Sequence, residues 1–244
     1  MLKRKPKLSQ CFLQDSAIAE KMVEAAEIAE GDKVLEIGPG HGIITHEIFK
    51  KTKNLVVIEK DIMLANKIGR LFPEIEIIEG DVLDVEFPKV DRIVSNIPFE
   101  ISSPLLTLLA KHEWKVTILI LQKEFTERFF AQAGKKKYSR LTLFMNYYFE
   151  AEKIKTVSKG KFLPRPKVDG VVVRLKKREP PFPTNKMFWG LLNALFRHKR
   201  KIVRGALKVE GYSSGKLDKL KELGSIRVNN LTLNNVKEIF DALS

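Results

Sequence analysis

Cysteine is nearly absent from this chain, which has Cys11 and no other among its 244 residues. A single cysteine excludes an internal disulfide framework and any zinc cluster that needs several cysteine ligands. A reducing compartment suits such a protein, so we expect it in the cytoplasm. Histidine is also scarce, and the four histidines lack the spacing of a metal-binding motif, so we expect no metal site.

Long apolar runs are missing as well. No uninterrupted stretch approaches the roughly 20 apolar residues that cross a bilayer, and no apolar signal-peptide core follows the basic start of the chain. The chain also lacks a nucleophile elbow, the strand-to-helix turn that presents the serine of many Ser-His-Asp hydrolases. We therefore expect a monomeric protein without membrane association, and we find no support for hydrolytic chemistry.

Acidic residues are fewer than basic residues in this chain. Lys and Arg total 44 against 30 Asp and Glu, which gives a formal net charge of +14. Such an excess is typical of proteins that bind a phosphate backbone, although membranes and acidic proteins attract the same charge. The candidate nucleic-acid-binding residues form three basic clusters: Lys3, Arg4, Lys5 and Lys7; Lys135, Lys136, Lys137 and Arg140; and Arg197, Lys199, Arg200, Lys201 and Arg204.

The third basic cluster falls in a segment, 185–208, with a helical pattern. On one continuous helix, Arg197, Arg204 and Lys208 would line one side, with apolar residues such as Phe196 and Val203 along another. One side would pack and the other would be free for phosphates. An ordinary solvated face is the alternative interpretation of each single cluster.

Strand-like and helix-like segments alternate through residues 1–180. The predicted strands are 33–37, 54–59, 75–78, 90–95 and 116–121. The predicted helices between them repeat apolar residues at spacings of three and four: 16–29, 43–52, 61–71, 101–111 and 123–132. This alternation predicts an α/β fold with a doubly wound, mostly parallel, Rossmann-like sheet. Two more predicted strands, 141–150 and 168–176, should pair antiparallel at the edge of the sheet.

The pattern becomes wholly helical after a short proline-rich stretch. Pro180, Pro181 and Pro183 cannot lie inside a helix, and we interpret them as a linker. The helical segments beyond it are 185–208, 216–223 and 234–243. We therefore predict a catalytic domain over residues 1–180, with a basic N-terminal arm, and a small helical domain over residues 181–244.

A glycine-rich loop follows the first predicted strand of the sheet. Gly38, Gly40 and Gly42 stand where the backbone must turn tightly and approach a ligand closely. The Gly-x-Gly-x-Gly spacing differs from the dinucleotide fingerprint, and Glu36 just before the loop would repel a pyrophosphate. The same carboxylate tolerates a sulfonium and an ammonium group, so S-adenosylmethionine fits better than NAD.

An acidic residue, Glu59, ends the next predicted strand, and another, Asp81, follows the strand after it. Glu59 is placed to accept hydrogen bonds from both hydroxyls of a ribose. Asp81, after the following strand, could accept from an adenine amine. A structural turn with two ordinary surface acids is the alternative, but three such elements in order favour an adenosine-containing cofactor.

Asn96, Ile97, Pro98 and Phe99 follow the fourth predicted strand of the sheet. An amide, a rigid proline and an aromatic ring at a strand end can grip a flat ring that bears an amine, although this tetrapeptide also occurs as a plain turn. An adenine amine is a poor nucleophile, because its lone pair is delocalised into the ring. The Asn96 side-chain oxygen and the Ile97 carbonyl could accept its two protons while Phe99 stacks on the ring.

At this point the chain resembles a known family, the KsgA-type small-subunit ribosomal RNA adenine dimethyltransferases. Six segments between residue 9 and about residue 175 carry the resemblance: 9–13 (SQCFL), 36–40 (EIGPG), 96–102 (NIPFEIS), 121–124 (LQKE), 138–141 (YSRL) and 162–169 (FLPRPKVD). The family more often has Asn or His at the position of Cys11 and Tyr at the position of Phe99.

The resemblance implies roles for individual residues. Gln10, Cys11 and Leu13 would close over S-adenosylmethionine, and Phe162 would clamp the target adenine opposite Phe99. The alternative for Phe162 is a loop aromatic tucked against the sheet. The implied cofactor-binding set is Gln10, Cys11, Leu13, Glu36, Gly38, Gly40, Glu59, Asp81, Val82 and Asn96.

The resemblance also implies the reaction: methyl transfer from S-adenosylmethionine to the 6-amino groups of two adjacent adenosines near the 3′ end of small-subunit rRNA. The partner would be that RNA within a pre-ribosomal small subunit. Two alternatives stay open at this point. One is a large-subunit rRNA adenine methylase of the antibiotic-resistance type, and the other is a noncatalytic ribosome-assembly or transcription factor on the same fold.

Overall fold

The structure is a computed structural model that describes residues 11–244. Its strands are β1 (Phe12–Leu13), β2 (Val34–Ile37), β3 (Leu55–Glu59), β4 (Glu76–Glu79), β5 (Arg92–Ser95), β6 (Val116–Gln122), β7 (Phe149–Val157), β8 (Phe162–Leu163) and β9 (Gly170–Lys177). Its α-helices are α1 (Ser16–Ala25), α2 (Ile43–Phe49), α3 (Ile62–Leu71), α4 (Ser102–Lys111), α5 (Lys123–Glu127), α6 (Arg140–Tyr148), α7 (Lys186–Arg197), α8 (Val203–Val209), α9 (Ser214–Asp218) and α10 (Leu233–Leu243).

Several helices begin at residues that the sequence marks as caps. The side chain of Asp15 accepts from the Ile18 N–H at the start of α1, and Asp61 accepts from two N–H groups at the start of α3. Asn185 caps α7 in the same way, and Thr232 forms a reciprocal capping box on α10. These side chains satisfy N–H groups that have no partner inside the helix.

Seven strands form the main sheet, in the order β4-β3-β2-β5-β6-β9-β7. The first five of these are parallel, whereas β9 runs antiparallel to both of its neighbours. Every residue of β2 and β3 is buried, as expected for central strands covered on both faces. The predicted α/β class with a mostly parallel sheet is confirmed, and an antiparallel pair does lie at the sheet edge, but β7, and not the predicted 141–150, is the partner of β9.

The amino ends of the parallel strands carry a buried ionic cluster. Asp32 accepts from the Ala29 N–H at 2.9 Å, from Arg92 Nε at 2.7 Å and from Lys115 Nζ at 3.0 Å. Burial opposes ionisation of this carboxyl, but these three donors hold the pKa of Asp32 down at about 2. The cluster holds the amino ends of these strands together. At their opposite, carboxyl ends lies a cleft.

The chain divides into two compact units, and the boundary differs from the predicted one at residue 180. The first unit takes the residues up to Thr126 together with Phe149–Lys177, and the second takes Glu127–Tyr148 together with Arg178–Ser244. The insertion of Glu127–Tyr148 has a packing reason. Tyr138 and Leu143 are buried in the apolar cluster of the second unit, and the Tyr138 hydroxyl donates to the Leu231 carbonyl at 2.5 Å.

Two predicted elements were wrong. Residues 141–150, predicted as a strand, are mostly helix α6, and the strand β7 begins only at Phe149. The segment is rich in aromatic residues, which favour strands locally, but packing in the second unit selects the helix. The predicted helix over 185–208 is two helices, because the backbone at 199–203 bonds to residues 226–229 instead: the Val203 N–H donates to Ile226, and Lys201 accepts from the Val228 N–H.

Each unit has its own apolar core. Helices and strands of the first unit bury residues such as Met22, Ile48 and Val94, whereas α7, α8 and α10 supply most of the core of the second. Within residues 11–244, none of the helices is long and apolar enough to cross a membrane.

Candidate active site

A cleft lies where β2, β3, β4 and β5 end. It contains two open cavities, and Gly38, Glu59 and Pro98 line both, so the cavities adjoin. Asn96 and Glu36 line the first, and the second is lined by the residues that follow β3 and β4. Carboxyl ends of parallel strands are where α/β proteins bind their ligands.

The glycine-rich loop adopts a backbone that side chains disfavour. Gly38, Gly40 and Gly42 have φ angles of +67°, +57° and +86°. A Cβ atom on Gly40 would lie 2.5 Å from the ring of Phe12. The glycines therefore let the loop turn tightly and let the Phe12 ring rest directly on it.

Glu59, the last residue of β3, is fixed by backbone donors. Its Oε2 accepts from the Gly40 N–H at 3.3 Å, and its Oε1 accepts from the Asp61 N–H at 2.9 Å. The residue is only 1% exposed, yet it lines both cavities. Each carboxylate oxygen has a second lone pair, so the group can still accept from a diol in the cleft.

Glu36 is buried beneath the glycine-rich loop. Its Oε2 accepts from the Thr45 hydroxyl at 2.6 Å, and the residue is 1% exposed. Burial raises the pKa of Glu36 to about 8, with a further contribution from the Glu59 carboxylate, against the opposing effect of the Thr45 hydrogen bond. A cationic ligand in the cleft would reverse this balance and favour the ionised form.

We expect Glu36→Gln to flatten the pH–stability curve between about pH 4.5 and 8. The raised pKa means that native Glu36 holds a proton between about pH 4.5 and 8, where the unfolded carboxyl has lost it. The free energy of unfolding of the wild type therefore falls as pH rises through that window, and glutamine has no proton to lose. Between pH 4 and pH 9 the variant should gain several kcal/mol of stability on the wild type, since each unit of pKa shift corresponds to about 1.4 kcal/mol.

Urea unfolding at pH 5, 7 and 9 measures this difference. Glu47→Gln is the matched control, since hydrogen bonds from Lys50 and His46 overcome the opposing effect of burial and lower the pKa of Glu47. That variant should be less stable than the wild type above about pH 4.5, and the difference should shrink as pH falls, because the wild type then loses the same interactions by protonation. Parallel curves for the wild type and Glu36→Gln would contradict the prediction.

Asp81 follows β4 and lines the second cavity with Val82. Its Oδ1 accepts from the Leu83 N–H at 3.0 Å, and its Oδ2 pairs with Lys60 Nζ at 2.7 Å. The hydrogen bond from Lys60, followed by that from Leu83, holds the pKa of Asp81 below its usual range. An adenine amine at this carboxylate would therefore share it with Lys60 and the Leu83 N–H, and Lys60 was not among the predicted site residues.

Asn96, Ile97, Pro98 and Phe99 lie at the end of β5, as predicted. The Asn96 Nδ2 group donates to the carbonyl of Cys11 at 2.9 Å, which leaves Oδ1 as the free acceptor of the amide. Pro98 lines both cavities, Ile97 is buried, and Phe99 is half-buried at the start of a short 3₁₀ turn. The structure thus brings the predicted amide and the predicted cofactor loop into one cleft.

A short cover strand closes the first cavity. Cys11, Phe12 and Leu13 line it, and the Phe12 ring lies 4.5 Å from the ring of His41. Strand β1 pairs antiparallel with β8. The structure brings Cys11 and Leu13 to the cleft as predicted, whereas Gln10 lies outside the described residues.

Phe162 does not line either cavity. Its ring is 3% exposed and lies against the sheet, in the space left by the missing side chain of Gly170, where a Cβ atom would be 3.3 Å from the ring. This position matches the alternative of an aromatic tucked against the sheet. Stacking of Phe162 on a target base requires β8 to move.

Other residues that line the cleft were not predicted from the sequence. Phe12, Pro39 and His41 lie within or beside predicted motifs, so their positions carried a usable signal. The remaining missed residues are Ile37 and Ile58 at the ends of β2 and β3, Lys60 after β3, Gly80 after β4, Ile43 and Ile44 at the start of α2, and Ile101 in the turn before α4. Their signal is weak, because apolar residues at helix starts are common.

Two predicted basic clusters come together in the second unit. Lys199 Nζ donates to the Lys136 carbonyl at 3.1 Å, and the Gly134 N–H donates to Asn229, whose own N–H donates to Lys199. The loop around 135–137 and the turn around 199–201, which are 63 residues apart in the chain, therefore form one basic surface. Arg227 joins it through a hydrogen bond to the Arg200 carbonyl.

The predicted single basic stripe was wrong, because the helix ends at Arg197. Several of its members are also paired with acids: Arg197 with Glu210, and Arg204 with Asp218. Lys137 pairs with Glu127 in the same unit, and Arg140 donates to Asn193. The first cluster, Lys3, Arg4, Lys5 and Lys7, lies outside the described residues, and across residues 11–244 no set of three potential ligands could hold a metal ion.

The strand order of the sheet and the residues that line the cleft are those of a Rossmann-like methyltransferase. A family model named ribosomal RNA adenine dimethylase matches residues 1–244. The chain belongs to this family, which confirms the resemblance carried by its motifs, and the protein is an rRNA adenine dimethyltransferase.

Curated relatives and solved structures agree with the family. A "Probable ribosomal RNA small subunit methyltransferase A" of Thermococcus kodakarensis is 42% identical over 222 residues, 90% of this chain and 79% of the relative. A protein of the same name from Pyrococcus abyssi is 36% identical, covering 97% and 91%. The crystal structure of a dimethyladenosine transferase from Plasmodium falciparum has a TM-score of 0.83 and 30% identity, covering 93% and 95%. That of the 23S rRNA methyltransferase ErmE has a TM-score of 0.69 and 26% identity, covering 95% and 99%.

Proposed function

We propose that the protein transfers methyl groups from S-adenosylmethionine to the 6-amino groups of two adjacent adenosines near the 3′ end of small-subunit rRNA, within a pre-ribosomal particle. The single observation that carries the chemistry is the position of Asn96, whose free Oδ1 stands at the edge of the cofactor cleft. The choice of RNA is supported by relatives that are named for the small subunit.

The residues of the cleft fit S-adenosylmethionine. Glu59 would accept from the ribose hydroxyls, Asp81 and Val82 would hold the adenine, and the glycine-rich loop with the cover strand would enclose the methionine part. Glu59 and Glu36 are two buried acidic groups beside the loop, and a cationic ligand would favour the ionised form of Glu36, which suits S-adenosylmethionine better than a pyrophosphate. The bound cofactor supplies an activated methyl group on a sulfonium.

The protein's own contribution is to orient the acceptor amine. Asn96 Oδ1 and the Ile97 carbonyl would accept the two amine protons, which favours a pyramidal nitrogen with its lone pair directed at the methyl group. Orientation of this kind contributes up to about 7–11 kcal/mol in favourable cases, whereas stacking on Phe99 is worth about 1–3 kcal/mol. Asn96 therefore matters more for the rate than Phe99, and Phe99 mainly offsets the cost of extruding the base.

The two alternatives have less support. The relatives named for the small subunit are 36% and 42% identical, against 26% for the 23S rRNA methyltransferase, which favours the small-subunit target over the large-subunit one. A noncatalytic factor would have no need to keep Gly38, Glu59, Asp81 and Asn96 together in one cleft.

Methyl transfer from labelled S-adenosylmethionine tests the proposal directly. The protein is incubated with immature small subunits and, separately, with large subunits, and modified adenosines are mapped. We expect two adjacent dimethylated adenosines near the 3′ end of the small-subunit RNA. Label on large-subunit RNA alone would refute the target, and no label on either RNA would favour the noncatalytic alternative.

We further propose that the basic surface of the second unit binds the RNA backbone. The triple variant Lys135→Gln, Lys136→Gln, Arg200→Gln should weaken RNA binding and lower the slope of log affinity against log salt by about 1 for each phosphate that no longer meets a cation. These three side chains are exposed. Binding isotherms from 50 to 300 mM salt, with about four concentrations, measure the slope.

The matched control removes the same charge from another exposed part of the second unit. Lys216→Gln, Lys219→Gln, Lys221→Gln should change the affinity slightly and leave the slope nearly as in the wild type. Equal slopes for the two triple variants would show that net charge alone, and not this surface, controls binding.

A further inference from the structure

The catalytic amide is held by a pair of short strands that join distant parts of the chain. Phe12 stands opposite Leu163 and Leu13 opposite Phe162 in the antiparallel pair of β1 and β8. Just beyond the pair, the Gln14 N–H donates to the Lys161 carbonyl at 2.8 Å. We call this pair of strands, with residues 11–15 and 161–163, the clip.

The clip is fixed on both of its sides. On the inner side, Leu13 and Phe162 are buried in one apolar cluster. On the outer side, Lys161 Nζ forms an ion pair with Asp15 Oδ2 at 2.6 Å, and both side chains reach solvent. The Phe12 ring packs directly on Gly40, so the clip is also in contact with the glycine-rich loop.

The carbonyl of Cys11, at the end of the clip, determines the orientation of the Asn96 side-chain amide. Nδ2 donates to that carbonyl at 2.9 Å. With the amide turned over, Oδ1 and the Cys11 carbonyl would be two acceptors facing each other, without a proton between them. The hydrogen bond therefore selects the orientation in which Oδ1 faces away from Cys11 and is available to a substrate amine.

We propose that the clip is a positioning device for methyl transfer: it holds the Cys11 carbonyl against Asn96 and so keeps Oδ1 turned to accept from the substrate amine. Asp15 and Lys161 are positioning residues in this scheme, remote from the reacting atoms. The inference rests on the proposed role of Asn96 in the transfer to adenine.

The ion pair offers a test at a distance from the chemistry. Lys161→Met and Asp15→Asn each remove it, and asparagine still caps α1 as well as aspartate does. Each variant should lower kcat, at saturating RNA and cofactor, about twofold to fivefold, as expected for an exposed pair. The double variant should lose no more than either single one, because both changes break the same ion pair.

A stronger break is Gln14→Pro, which removes the N–H that donates to Lys161. It should lower kcat about tenfold, the effect of one hydrogen bond. In all of these variants the KM for RNA should stay within about twofold of the wild type, because no RNA-binding residue is changed. Lys161→Arg should keep nearly full kcat, and Lys33→Met, which breaks the exposed pair with Glu76, is the matched control.

The outcomes separate the clip from the proposed function. Unchanged kcat in Lys161→Met, Asp15→Asn and Gln14→Pro, with Asn96→Ala inactive, overturns the clip alone. A raised KM for RNA with unchanged kcat in Lys161→Met, but not in Asp15→Asn, assigns Lys161 to RNA binding and also overturns it. If the wild type methylates no RNA, the proposed function itself fails.

Discussion

Asn96→Ala should lower kcat by about 10²–10³-fold or more, the range for losing one preorganised hydrogen-bonding group at a reacting centre. The variant removes both the Oδ1 acceptor and the Nδ2 donor that meets Cys11. RNA binding should remain intact, since the basic surface lies in the second unit and is unchanged. Single-turnover methylation and a separate binding isotherm measure the two quantities.

Asn54→Ala is the matched control for this prediction. Its side-chain amide also donates to a backbone carbonyl, that of Gly31, but it is exposed and precedes β3 at the opposite end of the strand from Glu59. It should keep nearly full activity. Equal activity of Asn96→Ala and the wild type would refute the site assignment, and a parallel loss in Asn54→Ala would point to general destabilisation.

Gly40→Ala should weaken the binding of S-adenosylmethionine about a hundredfold, or about 2.7 kcal/mol. Two costs combine: the residue has a φ of +57°, which a side chain resists, and the new Cβ would lie 2.5 Å from the Phe12 ring. Phe12 must move, and the cover strand moves with it. Isothermal titration with S-adenosylhomocysteine, which is not consumed, measures the loss.

Gly31→Ala separates the clash from the backbone strain. Gly31 also has a positive φ, +82°, but nothing lies within 4 Å of its Cβ position. This control should lose stability, by about 1–2 kcal/mol, while cofactor affinity stays near that of the wild type. Comparable losses of affinity in the two variants would mean that strain in the fold, and not displacement of Phe12, weakens the site.

Most of the cleft could be predicted because its residues follow strands. Glu59, Asp81 and Asn96 each end or follow a strand of a parallel sheet, and such ends meet at one edge whatever the details of packing. Gly38 and Gly40 were predictable for a similar reason, since the tight turn after a strand needs their backbone freedom.

The contacts between distant segments could not be predicted. Nothing local indicates that the Cys11 carbonyl meets Asn96, 85 positions away, or that Lys60 pairs with Asp81. Phe162 illustrates the same limit, because its burial depends on the space above Gly170. In α6 the local preference even pointed to a strand, and packing among residues far apart in the chain overrode it.

The second unit is built from two separate segments of the chain, which matters for exchanging this unit between relatives. The second unit is built from Glu127–Tyr148 and Arg178–Ser244, so its borders with the first unit fall at three junctions: 126/127, 148/149 and 177/178. A hybrid enzyme that receives only a foreign C-terminal segment would pair it with a native α6, and their apolar surfaces would have to match residue by residue. Transplanting the second unit from one family member to another therefore requires that both segments are exchanged together.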